Sequence, residues 1–173
     1  LINHFNMLSH KEPFCVPTHF ISDPLLFQRQ LEANQEFVAA GYPKLDRAMR
    51  PIIDRLNSIP GIATTDCCCC HPGTDKTFLY VAALVTEPGL AAFSDVYVQL
   101  VEEFMENPET TIWARQVSMS VRHRYPGKKR TPTFVWTIRI PCTKDSLRDL
   151  FVAEFIKAID NVIYSAGTRP VQR

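Results

Sequence analysis

The fold turns on two stretches, TIWARQVSMSVRHR at residues 111–124 and TPTFVWTIRIPC at residues 131–142. Both are dense in β-branched and aromatic residues, and Tyr125-Pro126-Gly127-Lys128-Lys129 between them is turn-forming, so they predict a β-hairpin. Side chains alternate across a strand, which separates two faces. Trp113, Arg115, Val117, Met119 and Val121 share one side of the first strand, and Phe134, Trp136, Ile138 and Ile140 share one side of the second. That side reads as core, with Arg115 as its exception. The opposite side carries Gln116, Ser118, Ser120, Arg122 and Arg124, then Thr133, Val135, Thr137 and Arg139.

Upstream of the hairpin, IATTDCCCCH (62–71) reads as a short strand entering the loop His71-Pro72-Gly73-Thr74-Asp75, and TFLYVAALVT (77–86) as a second strand. Glu87-Pro88-Gly89 reads as a breaker. Leu90, Phe93, Tyr97, Leu100, Val101 and Phe104 then recur at helical spacing up to Asn107-Pro108. Two helices precede the strands. Ser22-Asp23 caps the first, Pro24 suits its first turn, LLFQRQLEANQEFVAA (25–40) is rich in helix formers, and Gly41 ends it. In the second, Leu45, Ala48, Met49, Ile52, Ile53 and Leu56 form one apolar stripe, and Pro51 predicts a kink or a start near Arg50. After the hairpin, Thr143 can cap a last helix striped by Leu147, Leu150, Phe151, Phe155, Ala158 and Val162.

The order is therefore α-α-β-β-α-β-β-α. It predicts an α+β domain, a mainly antiparallel four-stranded sheet with helices packed on one face. Residues 1–173 fit a single domain, with 1–21 an irregular N-terminal arm and 165–173 a frayed tail.

Composition narrows the function. Among 173 residues, 19 basic side chains face 18 acidic ones, so binding to nucleic acid through bulk charge is excluded. No apolar run reaches the ~18–20 residues of a membrane span, and LINHFNMLSHKEPF lacks the long apolar segment of a secretory signal. Four of the six cysteines are consecutive, Cys67 to Cys70, a poor disulfide framework that points to a reducing, cytoplasmic setting.

The hydroxyl-and-arginine face is the candidate site. Arg122 and Arg139 offer bidentate contacts to phosphate or carboxylate, while Ser118, Ser120 and Thr137 offer donors and acceptors to a sugar. Arg122, His123, Arg124, Lys128, Lys129 and Arg130 crowd the hairpin tip with no acid among them. The bland reading of both features is a solvated sheet face and an edge protected by like charges. The ligand reading adds Arg124 and Lys129 for phosphate, Tyr80 or His71 for a base, and Cys68 in the Cys-His loop as a further ligand-binding residue. Its partner is an anionic, nucleotide-like small molecule, with a nucleic-acid backbone less favoured. No cofactor is called for.

Cys67 to Cys70 with His71 is the most unusual string. It lacks the second pair that a zinc site wants, so no metal is assigned. A nucleophilic cysteine would need His71 to lower its pKa, and the commonest fate of cysteine is a small buried hydrophobe. Asp66 suits a ligand hydroxyl or a capped turn. An enzyme using the same face would take His71 and His123 as acid and base in phosphodiester cleavage, with the arginines stabilising charge. A third reading is a protein-interaction module, a homo-oligomer formed through the exposed sheet.

Residues 56–73, LNSIPGIATTDCCCCHPG, resemble a motif of small, mostly uncharacterised proteins of tailed bacteriophages and bacteria, L-P-G-[IV]-x-T followed by S-C-x-G-H. The chain keeps Leu56, Pro60, Gly61, Ile62, Thr64, Cys68 and His71, and has Cys67 for the Ser and Cys70 for the Gly. The motif is more distantly similar to one in tRNA wybutosine-synthesising methyltransferase-like proteins. The resemblance implies a binding loop around Cys68 to Gly73 and a role in host takeover or defence evasion, such as sequestering a nucleotide signal. A Cβ at Cys70 makes close approach of backbone to ligand harder than the motif's Gly does.

Overall fold

The structure, a computed structural model, describes residues 22–42, 45–69, 77–124, 133–142 and 145–168. Helix α1 (Pro24–Ala39) is followed by a 3-10 turn at Arg47–Met49 and helix α2 (Arg50–Ser58). Strands β1 (Ile62–Cys69) and β2 (Phe78–Val85), helices α3 (Glu87–Glu106) and α4 (Thr111–Ala114), strands β3 (Ser118–Arg124) and β4 (Thr133–Pro141), and helix α5 (Asp145–Thr168) complete it. The strands form one antiparallel sheet in the order β1-β2-β4-β3, so the fold is α+β.

The expected starts and stops have visible causes. Asp23 Oδ1 accepts the backbone N–H groups of Leu25 and Leu26, both at 3.0 Å, capping α1. Gly41 leaves that helix with φ 74°, a conformation easy for glycine. Pro51 is tolerated because α2 begins at Arg50, which places the ring in the first turn.

One face of the sheet carries the large core. Leu79, Val81, Ala83 and Val85 of β2 and Trp136, Ile138 and Ile140 of β4 lie under α2, α3 and α5, with Phe93, Phe104, Phe151 and Phe155 fully enclosed. Each enclosed phenylalanine contributes about 1.5–3 kcal/mol through burial.

Four sequence expectations need correction. Helices do not all share one face: Phe27, Leu26 and Leu31 of α1 pack against Ala63, Ala82, Leu84 and Val135 on the opposite side. Ser22 fixes that placement. Its N–H donates to Val85 O at 2.9 Å, and its Oγ accepts the Val85 N–H and donates to Phe134 O, each at 2.9 Å. It enters between β2 and β4 just past their last paired residues, Ala83 and Trp136. Second, residues 111–114 are the helix α4 rather than strand, so Trp113 and Arg115 leave the sheet, and Trp113 packs edge-on to Phe151 at 5.9 Å. Third, Glu87 to Gly89 form the first turn of α3 rather than a break, with Thr86 Oγ1 accepting the Gly89 N–H at 3.4 Å. Fourth, α5 runs to Thr168, so the start of the expected tail is helical. The expected arm at 1–21 and the cap at Thr143 lie outside the described residues.

Candidate functional site

A bulge in β1 sets the geometry of the site. Thr64 pairs with Ala83 but Asp66 pairs with Ala82, so Thr65 is an extra residue on the edge strand. Without it, Asp66 would face Val81 and point into the core. With it, Asp66 and Cys68 share the open face with Tyr80 and Ala82, while Cys67 and Cys69 turn inward opposite Val81 and Leu79. The bulge is held by side chains from two helices. Gln30 and Asn34 of α1 donate to Thr64 O at 2.9 and 3.1 Å, and Asn57 of α2 accepts the Thr64 N–H at 2.9 Å.

On the open face, α1 covers the Ala63–Leu84 end and leaves a cleft of about 360 Å³ at the other. Asp66, Tyr80, Ala82, Arg122, Val135, Thr137 and Arg139 form its walls. They come from all four strands, which the register brings into line: Tyr80 stands opposite Arg139, Ala82 opposite Thr137, and Arg122 opposite Val135.

Three features define the chemistry of this cleft. The Arg139 guanidinium lies 3.9 Å above the centre of the Phe78 ring, which holds its plane while leaving its N–H edge available. Neither Arg122 nor Arg139 has a carboxylate partner among the described residues. Tyr80 donates its hydroxyl to Asp66 Oδ2 at 3.0 Å, and Asp66 Oδ1 accepts the Cys67 N–H at 2.9 Å. Burial, then the Asp66 charge, push the Tyr80 phenol up to about 12, so it stays a neutral donor. Two cations with a hydroxyl and a fixed carboxylate nearby suit an anionic group attached to a hydroxylated scaffold.

The structure brings together four of the residues named from the sequence, Tyr80, Arg122, Thr137 and Arg139. Ser118 and Ser120 stand opposite Arg139 and Thr137 in register, on the cleft's β3 side. Cys68 sits across from Tyr80, is only 6% exposed and is not among the residues that form the cleft wall. His71 and Lys129 lie outside the described residues, and for His123 and Arg124 the backbone alone is described, at the end of β3. Phe78 and Asp66 carry more of the site than the sequence reading assigned them. Phe78 was legible as Tyr80's neighbour on the same face, two residues away.

Two cysteines of the run, Cys67 and Cys69, are packing. Cys67 and Cys69 join the main core, and both thiols are pushed up to about 12, chiefly by burial. Asp46 adds to the shift at each, through a hydrogen bond to Cys69 and through its charge at both. Neutral thiols of this kind are poor nucleophiles. Among the described residues, no group of three His, Cys, Asp or Glu side chains converges as metal ligands would, and no helix is long and apolar enough to cross a membrane. No family model matches the chain, and neither a curated protein nor a solved structure matches it.

Proposed function

We propose that the open sheet face binds a small phosphorylated, nucleotide-like molecule. The observation that carries this reading is the pair Arg122 and Arg139, on adjacent strands, facing one cleft without a carboxylate partner among the described residues. Arginines on a merely solvated face have no reason to converge on a concave site beside a tyrosine–aspartate pair. In this proposal the guanidiniums take phosphate, Thr137 and Ser120 take its remaining oxygens, and Asp66 accepts a sugar hydroxyl. The resemblance of residues 56–73 to phage proteins supports extending the role to sequestration of a nucleotide signal in host defence. An enzymatic use of the cleft rests on His71 and His123, whose side chains lie outside the described residues.

Native mass spectrometry with a panel of linear and cyclic nucleotides tests the proposal. A nucleotide retained and released unchanged is the expected result. Its release as a cleaved product would make the protein an enzyme, and no adduct from any nucleotide would sink the reading.

A further inference from the structure

A second cavity, of about 450 Å³, lies beyond the edge of β1, between that strand, α1 and α2. It shares Asp66 with the cleft, but neither Arg122 nor Arg139 lines it. Its wall has features that core packing does not explain. Tyr42 lines it with a backbone φ of 57°, a region that L-residues other than Asn and Asp seldom adopt. The residue is only 8% exposed, yet its hydroxyl has no hydrogen-bond partner among the described residues. Thr65, the extra residue of the bulge, also lines the cavity with a buried, unpartnered hydroxyl. Buried polar groups are normally paired, so two orphans on one wall point to a missing partner.

The polar network beside them is also half used. Asn57 Oδ1 accepts from Thr64 and Asn34, and the Gln30 amide nitrogen donates to Thr64 O and Asn34 Oδ1. These bonds fix which end of each amide is which, and they leave Asn57 Nδ2 as a donor and Gln30 Oε1 as an acceptor. The aromatic part of the wall is rigid: Phe37 meets Tyr42 edge-on at 5.6 Å, and the Arg50 guanidinium holds the Tyr42 ring from 5.5 Å. The Cys67 thiol on the same wall stays neutral, so among the described residues Asp66, at the junction with the cleft, supplies the only formal charge in the lining.

We infer that this cavity is a binding site for a neutral, planar heterocycle with a donor and an acceptor on its edge, of the nucleobase class. Aromatic faces, a wall whose described residues are uncharged apart from Asp66, and unsatisfied hydroxyl and amide groups are what such a ring requires. The site stands independently of the anion cleft. A ligand carrying both base and phosphate would pass Asp66, which belongs to both.

The test uses adenosine, guanosine, cytidine and uridine, which carry the base and no phosphate, in isothermal titration calorimetry with the whole chain. At least one nucleoside is expected to bind. Tyr42→Phe, which keeps the ring and removes only the orphan hydroxyl, is expected to weaken that binding about tenfold, with no loss of thermal stability. Ala33→Phe, on the exposed side of α1 at the cavity wall, fills the space and is expected to abolish binding. Absence of binding by all four nucleosides would overturn the inference, as would binding indifferent to both cavity variants. Nucleotides binding where nucleosides fail would sink this site and leave the anion cleft standing.

Discussion

Tyr80 and Asp66 meet diagonally across β1 and β2, hydroxyl to carboxylate at 3.0 Å, only because Thr65 shifts the register between them. The contact accounts for part of the rise in the Tyr80 pKa from 10.0 to about 12, with burial the larger cause. Asp66→Asn is therefore expected to bring the Tyr80 titration down from about 12 towards 10 without reaching it. Absorbance of phenolate against pH reads this, with Tyr80→Phe identifying which tyrosine moves. The folded-state pKa lies above the unfolded one. The corresponding stability is thus complete below pH 10 and declines as pH rises towards 12.

Cys67 and Cys69 make the same kind of prediction with a different readout. Both thiols shift from 9.0 to about 12, so the folded state holds protons that the unfolded chain loses first. Stability from these groups is fully present below pH 9 and falls through the window up to about 12. At pH 8 the native chain should alkylate at Cys67 and Cys69 roughly a hundredfold or more slowly than the chain in denaturant. Peptide mapping after timed iodoacetamide exposure checks it. Rapid native labelling at Cys67 would revive the reading of the run as reactive.

Gly61 and Gly89 are packed backbone to backbone where β1 begins and α3 starts. Gly61 has φ 87°, and a Cβ there would collide with Thr86 Oγ1, while a Cβ on Gly89 would collide with the Gly61 carbonyl. That carbonyl also accepts the Thr86 N–H at 2.9 Å. Gly61→Ala and Gly89→Ala should each destabilise the fold by about 2–4 kcal/mol, seen as a lower urea midpoint.

The same packing shows what in the sequence was legible and why. Leu56 and Ile62 are fully enclosed, Gly61 admits α3, and Thr64 anchors the bulge through Asn57, so these motif residues between 56 and 64 have structural work in this fold. The two hairpin strands show their faces because apolar and hydroxyl residues alternate, and that alternation delivered Arg122, Thr137 and Arg139. Four things were hidden. The bulge is a matter of pairing, and Thr64-Thr65-Asp66 carries no mark of which residue is extra. The first helix shows Leu26, Phe27 and Leu31 but not which side of the sheet they meet, which Ser22 decides through hydrogen bonds to Val85 and Phe134. Thr111 to Ala114 reads as strand because Ile112 and Trp113 are β-formers. Thr111 Oγ1 nonetheless donates to Met105 O and Asn107 O, at 3.1 and 2.8 Å, and ties the segment to the end of α3. The cavity wall of Tyr42, Asn34 and Asn57 comes from elements too far apart in sequence to pattern together.

Arg139 and Arg122 should differ in how they fail. Arg139 is half-buried and stacked on Phe78, so its charge is fixed in place, whereas Arg122 is exposed at the cleft's rim. With inorganic pyrophosphate as the probe, Arg139→Ala should weaken binding by about 10–100-fold, the range expected for loss of a charge-assisted hydrogen bond. Arg122→Ala should cost less and lose most of its effect at high salt, because an exposed charge is screened. Arg139→Lys keeps the charge but loses the fork and the stacked plane, and should recover only part of the affinity. Phe78→Ala separates position from charge: the guanidinium remains but is no longer held, so affinity should fall while the salt dependence persists. Calorimetry at low and high ionic strength distinguishes these cases. Equal, fully salt-screened losses for both arginines would mean a diffuse basic surface rather than a built anion site.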